Sequence, residues 1–410
     1  MKLSESEKRK LEQRIQLNMD IQENQLFRSQ ESCRLSIAQE KRRTILFGVA
    51  LVLLFIVSIL FTNDVLFGNF GISRVVEQLK QRVNDVIDLC LGNPLSTGIH
   101  FFLTQFAAPI VVGMALAGAG ACYQGLFHNP MASPTMLGVT SGGMLGGTIY
   151  MLFFSNLSVV ALTTSGYAEL SVAFADMSIL DRYIQQFFIM GGCFIVIIFV
   201  MILAKISGKG KINTVALMLG GTVFTTTISS ILELTAYILT LTGYSYTLST
   251  SIRGMLAGQF GSITSPKTLL VMSIPILIPL ILLLFMSNKL NVIAFGEEEA
   301  ASMGVNVGRD RLIMIILTTI MTGTTIAFCG QVSFVGLMVP QFARFFVGTD
   351  YKYLLPTSAF LGGIFMLLAF DLYYTLNFSF TVGTYVNVVG SIAFLIFMIR
   401  YRRKGHADWT

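Results

Sequence analysis

The sequence predicts an all-α membrane protein with about ten transmembrane helices. Of its 410 residues, 54% are hydrophobic and 12% are charged, and the mean hydropathy is +0.71. Soluble domains carry about 25% charged residues. Apolar runs long enough to cross a bilayer, which takes about 20 residues, recur along the chain. Basic residues flank these runs, so the net charge of +6 favours membrane loops over a nucleic-acid-binding surface.

The chain divides into three regions: a charged extension over 1–43, a transmembrane domain over 44–400 and a tail over 401–410. In the extension, Ser4 and Glu7 have the spacing of a capping box. Leu11, Ile15 and Met19 then recur at helical intervals, which predicts an amphipathic helix; the alternative is a solvated extension without a specific role. A basic triplet, Lys41-Arg-Arg43, precedes the first apolar run and places its start on the cytoplasmic side.

Ten apolar runs are predicted to span the membrane. They cover 44–61, 101–127, 135–154, 184–204, 214–241, 266–286, 312–330, 333–347, 354–374 and 384–400. An even number of crossings returns both termini to one side, and the short basic clusters all fall on that side. The sequence therefore predicts a multi-pass protein with both termini in the cytoplasm.

A polar segment, Asn291–Val307, separates two of these spans and is named the polar island below. Gly296 and Gly304 bracket helix-forming residues that begin with three glutamates, Glu297, Glu298 and Glu299. Acidic residues favour a helix N-terminus, and glycine is a common C-terminal stop. The pattern predicts a short surface helix that is presented to a soluble partner.

An ungapped comparison of the chain with itself indicates an internal repeat. At a shift of 210 residues, Gly113, Ala117, Gly120, Pro130 and Gly138 fall on Gly323, Ala327, Gly330, Pro340 and Gly348. Five spans separate the second span from the seventh, so two copies would have opposite orientations, as in many transporters. The alternative is coincidence in a glycine-rich chain, with these glycines serving ordinary helix packing.

The sequence contains few residues that could carry chemistry. It lacks a phosphate-binding loop of the G-x-x-x-x-G-K-[ST] type, so we expect no ATPase activity and no enzymatic role. Three histidines and five cysteines are scattered without metal-ligand spacing, which predicts no metal site and no cofactor bound by this chain.

Two acidic residues, Glu233 and Asp371, lie within predicted spans. Acids at membrane depth face a protein interior or water, so each serves either a structural hydrogen bond or a substrate path. Hydroxyl residues between Thr225 and Ser230 precede Glu233, and back-bonding to their own helix is the expected use.

Four linked motifs resemble the permease family of iron-siderophore, haem and cobalamin ABC importers. They are Gln124-Gly-Leu-Phe-His-Asn-Pro-Met-Ala-Ser-Pro134, the segment Gly296 to Val305, Gly330-Gln-Val-Ser-Phe-Val-Gly-Leu-Met-Val-Pro340 and Leu354-Leu-Pro356. The resemblance covers about positions 100 to 400. It implies the architecture of a type II ABC importer permease in a bacterial plasma membrane.

The resemblance also implies partners. Such permeases act in pairs with a translocation path between them, bind two cytosolic ATPase subunits that hold the ATP, and receive ligand from a lipid-anchored or periplasmic binding protein. The implied ATPase-coupling residues are Asn291, Phe295, Gly296, Glu297, Glu298, Glu299, Ala300, Met303 and Gly304. The path residues are Gly113, Gly120, Gly323, Gly330, Glu233 and Asp371.

Several positions depart from the family pattern. Phe102 and Gln105 stand where many members have arginines that dock the binding protein, and Tyr373 lies where another arginine is common. Thr381 replaces a usual proline, and Gln341 replaces a usual histidine. The docking electrostatics must therefore differ, although Phe102, Gln105, Arg253 and Tyr373 remain the predicted docking residues. The outward-side candidates for the docking charge are Arg253, Lys80, Arg82 and Arg182. If the other permease subunit supplies the charge instead, the pair is a heterodimer, which the departures favour over a homodimer.

Two other classes of protein fit the composition. An ion-coupled secondary transporter would have a similar number of spans, and a membrane receptor could use the extension as its output. Among importers, the resemblance favours an iron-siderophore complex as cargo, with haem or cobalamin as alternatives.

The extension gives a first test. Deleting residues 1–35 while keeping Lys41-Arg-Arg43 should preserve topology and at least partial uptake, because the family pattern does not require those residues. The retained basic residues contribute on the order of 1 kcal/mol each at an anionic leaflet. Complete loss of assembly with an ATPase after this deletion would show that the extension is a structural component.

Overall fold

The computed structural model describes residues 107–154, 179–208, 214–243, 246–260, 263, 266–376 and 381–403. These ranges contain helices and no strand, which confirms the all-α prediction for the described part of the chain. The helices are α1 (Ala108–Leu126), α2 (Val139–Phe153), α3 (Ile179–Ser207), α4 (Thr214–Leu241), α5 (Tyr246–Ala257), α6 (Pro266–Phe285), α7 (Ser287–Phe295), α8 (Glu297–Ser302), α9 (Val307–Cys329), α10 (Val335–Val347), α11 (Tyr351–Leu376) and α12 (Val382–Arg403). The extension over 1–43, the predicted span over 44–61 and residues 404–410 lie outside the described residues.

Six of these helices, α1, α3, α4, α6, α9 and α11, are long and apolar enough to cross a membrane. α2 and α10 are shorter than predicted. Each begins after a residue with a left-handed backbone, Gly138 (φ 79°) and Phe334 (φ 63°), which delays the helix start. The 13 residues of α10 extend only about 20 Å, against about 30 Å for a hydrocarbon core.

Two helices, α5 and α7, were not predicted. α5 is a 12-residue helix between the spans α4 and α6, and only part of its surface is apolar. α7 begins at Ser287, directly after α6, so the polar island is entered through a helix rather than a loop. Neither helix has the length or the continuous apolar run by which the transmembrane helices were predicted.

Close backbone contacts organise the centre of the fold. A Cβ on Gly113 would overlap the carbonyl group of Gly362 in α11, and a Cβ on Gly120 would overlap that of Gly336 in α10. Small residues allow such approach, and close van der Waals packing drives helix association where lipid supplies no hydrophobic effect. The glycines therefore let α1 lie directly against α10 and α11.

The two halves of the fold repeat one set of helix contacts. α1 packs against α10 and α11, as α9 packs against α2 and α3. Likewise, α2 contacts α3 and α4, as α10 contacts α11 and α12. The central helices α1 and α9 also pack against each other. These matched contacts support the predicted equivalence of the second and seventh spans.

The residue pairs that suggested this repeat are out of register with the helices. A shift of 210 carries the end of α1 past Cys329, where α9 ends, and into α10. Gly120 lies within α1, whereas Gly330 follows α9. The connection after α1 is longer than the one after α9, and an ungapped comparison cannot accommodate that difference.

The Gly113 contact predicts a position-specific loss of stability. Gly113→Ala should lower the thermal unfolding midpoint in detergent by several degrees, because overpacking costs about 1–3 kcal/mol. Gly191→Ala in α3 is the control, since a Cβ there meets nothing within 4 Å. Equal midpoints for the two variants would contradict the proposed role of the Gly113 contact.

Candidate coupling site

The polar island contains two short helices joined at a glycine. Gly296, between α7 and α8, has φ 144° and ψ 153°, a conformation essentially restricted to glycine. α8 ends in a Schellman motif, in which Val305 N donates to Ala300 O (3.1 Å) and Gly304 N donates to Ala301 O (3.0 Å). Gly304 has φ 80°. The predicted helix between two glycine turns is confirmed.

The outer surface of the island combines apolar and acidic side chains. Phe295 is 79% exposed and Met303 is 66% exposed, and Glu298 and Glu299 are also exposed. Ala300 is fully buried on the opposite side of α8. An aromatic residue and a methionine beside charged residues are the composition of an interface core and its rim. This surface is therefore suited to a protein partner.

Side-chain hydrogen bonds and an ion pair fix α7 to the helices around it. The Asn291 side chain accepts from Tyr351 N (2.7 Å) and donates to Asp350 Oδ1 (2.6 Å). His128 Nε2 donates to Ile293 O (2.7 Å). Lys289 Nζ forms an ion pair with Asp310 Oδ1 (2.8 Å) at the start of α9. Asn291, predicted as a coupling residue, thus anchors the island to the start of α11.

A buried polar network lies behind the island and joins two of the family motifs, the one that begins at Gln124 and the one that ends at Pro340. The Gln124 side chain donates to Leu337 O (3.2 Å) and accepts from Arg344 Nη1 (2.6 Å) and Gln341 Nε2 (3.1 Å). Gln341 Nε2 also donates to Pro130 O (2.6 Å), and Arg344 Nη2 donates to the Tyr351 hydroxyl (3.2 Å). The network therefore ties the end of α1 to α10 and α11.

Sequence reasoning missed the roles of His128, Arg344 and Tyr351. The family motif includes an arginine three residues after the position of Gln341, and that spacing could have indicated Arg344. Gln341 stands where the family has histidine, and its side chain supplies the N–H donor that this place in the network requires.

The remaining predicted residues lie away from the island. Glu233 Oε1 in α4 lies 3.5 Å from Arg253 Nε in α5, and both side chains are about half exposed. A predicted path residue and a predicted docking residue are thus paired with each other. Gly323 packs on Met190, and Gly330 (φ 66°) lies against the backbone of Met255. Whether these glycines line a path stays a prediction.

Of the hydroxyl residues predicted to bond to their own helix, Thr226 and Ser230 do so, and Thr222 one turn earlier does the same. Thr225 contacts Gly221 O of its own helix (2.9 Å) and also Thr135 O outside it (3.1 Å). Thr222 donates to Leu219 O, Thr226 to Thr222 O and Ser230 to Thr226 O, each at 2.9–3.1 Å. All three side chains are exposed. With Glu233, they form a polar row along one face of α4.

Some predicted residues, or their side chains, lie outside the part of the chain that the structure describes. Phe102, Gln105, Lys80 and Arg82 lie outside the described residues. The side chains of Glu297, Arg182, Asp371 and Tyr373 are likewise outside them, although their backbones belong to helices. Within the described residues, no group of three or more His, Cys, Asp or Glu side chains is placed to hold a metal ion.

Comparison with known proteins identifies the class of this fold. The fold resembles an ABC transporter of the metal-chelate type, solved in an inward-facing conformation, with a TM-score of 0.64 and 23% identity over 87% of this chain and 98% of that one. Residues 50–400 match the FecCD transport family, and the chain belongs to that family. It is a multi-pass membrane protein and a permease component of a transport system.

Two curated relatives are similar over most of their length. The chain is 31% identical to the hemin transport system permease protein HmuU of Yersinia pestis, over 75% of this chain and 84% of that protein. It is 27% identical to the iron(3+)-hydroxamate import system permease protein FhuB of Bacillus subtilis, over 74% of this chain and 71% of that protein.

The buried network predicts that Arg344 stabilises the fold. Arg344→Met should lower the free energy of unfolding by about 1.5–3 kcal/mol, the usual contribution of hydrogen bonds from a charged group. Arg344→Lys should lose less, because an ammonium group can still reach one acceptor. Denaturation of the purified protein in mixed micelles measures both changes. Lys352→Met is the control, since it removes a charge from an exposed side chain near the same end of α11; equal losses at 344 and 352 would contradict the prediction.

Proposed function

We propose that this chain is the permease subunit of an ATP-binding-cassette importer that takes up a metal chelate, with an iron-siderophore complex as the leading substrate. The structure of the polar island carries this proposal. Phe295, at the end of α7, and Met303, directly after α8, are exposed, and α8 lies between two glycine turns. Behind it, side-chain bonds connect α7 to α1, α9 and α11. A displacement of the island would therefore reach the membrane helices rather than be absorbed in a loop.

The partners follow from this role. Two cytosolic ATPase subunits bind ATP and press on the islands of a pair of permease subunits, and an extracellular or periplasmic binding protein delivers the chelate. The second permease subunit is a different chain, because Phe102 and Gln105 replace arginines that dock the binding protein in many members. Both termini face the cytoplasm of a bacterial cell, and the chain itself binds no cofactor.

The substrate path runs along the polar face of α4. The Glu233–Arg253 pair joins α4 to α5, and its half-exposed charges are unsuited to lipid, which supports a polar path on this side of α4. Helix pairs that rock between two packings would open this path to one side and then to the other. Relatives named for hemin and iron(3+)-hydroxamate support a chelate as cargo, with haem and cobalamin as the alternatives to a siderophore complex.

An ion-coupled secondary transporter is the second candidate function. It would need membrane-buried ionisable residues to couple ion movement, and among the described side chains Glu233 is paired with Arg253. A receptor is the third, with the extension as its output. Purification from native membranes separates the three functions, because an importer should bring down an ATPase, a secondary carrier none, and a receptor a signalling protein.

Uptake assays identify the cargo. Cells lacking this chain should fail to grow when an iron-loaded hydroxamate siderophore is the iron source, and should grow normally on haemin. Binding of each chelate by the binding protein encoded with the system provides an independent measurement. Growth loss confined to haemin, or to a cobalamin-dependent medium, would reassign the substrate within the family.

The Schellman motif predicts an uncoupled variant. Gly304→Val should reduce uptake per ATP hydrolysed several-fold, since a left-handed conformation costs an L-residue about 1–2 kcal/mol. Gly304→Asn should retain most coupling, because asparagine tolerates this conformation. Reconstituted complexes in vesicles give both rates.

Gly308→Ala is the control for this test, because Gly308 lies in the first turn of α9 and a Cβ there meets only Asn306 Oδ1 at 3.9 Å. Normal uptake and normal ATPase stimulation in Gly304→Val would show that α8 is not the ATPase contact.

A further inference from the structure

The connection between α1 and α2, residues 127–138, touches the polar island at its beginning. His128 directly follows the end of α1 and has a left-handed backbone (φ 51°), which is uncommon outside glycine. In that conformation its Nε2 lies 2.7 Å from Ile293 O in α7. His128 is exposed. Because the Ile293 carbonyl can only accept a hydrogen bond, the imidazole N–H is the donor.

The same connection touches α4 at its other end. Thr225 Oγ1 in α4 lies 3.1 Å from Thr135 O, and the same hydroxyl is 2.9 Å from Gly221 O of its own helix. Nearer the beginning of the connection, Asn129 Nδ2 lies 3.0 Å from Met218 Sδ in α4. A Cβ on Gly221 would overlap Met136 O and the backbone of Leu137. The backbone of α4 therefore lies directly against the connection.

Between these two contacts the connection is stiff. Asn129 Oδ1 accepts from Met131 N (2.8 Å), and Asn129 O accepts from Ala132 N (3.0 Å). Turns after Ser133 and Pro134 then close through Leu137 N to Ser133 O (3.1 Å) and Val139 N to Pro134 O (3.1 Å). Two prolines restrict the backbone further, and Ala132 and Leu137 are fully buried. A displacement at one end is thus carried to the other.

We infer that residues 128–137 transmit the movement of the polar island to α4, with His128 and Gly221 as the positioning residues at the two contacts. The inference rests on the proposed function, because the island is taken as the ATPase contact and α4 as a wall of the path. The inference specifies the route. A movement of α7 displaces His128 through its hydrogen bond to the Ile293 carbonyl. Met136 and Leu137 then displace α4, because their backbone lies directly against Gly221. Coupling travels between sites through such contiguous rigid elements.

Two pairs of variants test the route at its two ends. His128→Ala removes the donor to Ile293 O, whereas His128→Gln keeps an N–H at the end of a side chain of similar length. Gly221→Ala pushes the connection away from α4. Gly220→Ala is its matched control, since both glycines are in α4 and a Cβ at 220 meets only Val200 Cγ1 at 3.8 Å.

The measurements are capture of the ATPase subunits by the tagged permease, and chelate uptake per ATP hydrolysed in vesicles that contain the complete transporter and its binding protein. We expect all four variants to capture the ATPase. Uptake per ATP should fall several-fold in His128→Ala and Gly221→Ala, recover in His128→Gln and remain normal in Gly220→Ala. A loss in His128→Ala that glutamine restores is not expected from a purely structural role of the ring.

A second measurement follows the movement itself. In a chain that carries Cys33→Ser and Cys90→Ser, the remaining three cysteines are buried, so Thr226→Cys can be labelled selectively with a hydrophilic maleimide. The labelling rate should change when ATP binds, and the change should disappear in His128→Ala and Gly221→Ala.

The outcomes separate the inference from the function on which it rests. If the wild-type chain captures no ATPase, the proposed function fails. If it does capture the ATPase, but His128→Ala and Gly221→Ala keep normal uptake per ATP and a normal nucleotide-dependent change at position 226, the importer stands and the route through residues 128–137 is wrong.

Discussion

The rest of the structure depends on the backbone contact between α1 and the helices α10 and α11. Glycines on both sides of that contact, at 113 and 362 and at 120 and 336, remove the side chains that would hold the helices apart. One turn after Gly120, the Gln124 amide reaches the carbonyl groups of Gly336 and Leu337 across this gap. The polar network behind the island can form only because the backbone of α1 lies this close to those of α10 and α11.

Much of the fold and one part of the site could be predicted from sequence. Long apolar runs identify α3, α4 and α6 because lipid imposes length and composition on a spanning helix. Gly296 and Gly304 mark the ends of α8 because their backbone conformations strongly favour glycine. These are local constraints, so a local pattern reveals them.

The remaining features depend on contacts between residues far apart in sequence. Arg344 meets Gln124 across 220 positions, and His128 meets the Ile293 carbonyl across 165. Glu233 and Arg253 are close in sequence, but they pair only because α5 folds back on α4 after a turn at Gly243. The pattern of apolar residues does not predict α5. Sequence can propose such residues for a path or a docking face, but not their partners.

The departures from the family pattern have structural explanations in two places. Gln341 provides the N–H that closes the buried network. Thr381, in place of a proline, donates from its hydroxyl to Ala257 O (2.6 Å) and so ties the start of α12 to the end of α5. Proline has no donor for that bond.

Gly304 illustrates a constraint of a different kind from the glycines of the helix contacts. A Cβ at Gly120 would have no room, whereas a Cβ at Gly304 meets nothing within 4 Å, so only the positive φ disfavours a side chain there. The position therefore restricts the backbone conformation of its residue but leaves room for a larger side chain. A mirror-image residue, D-alanine, would fit the turn after α8 and make it more rigid, although it would enlarge the side chain.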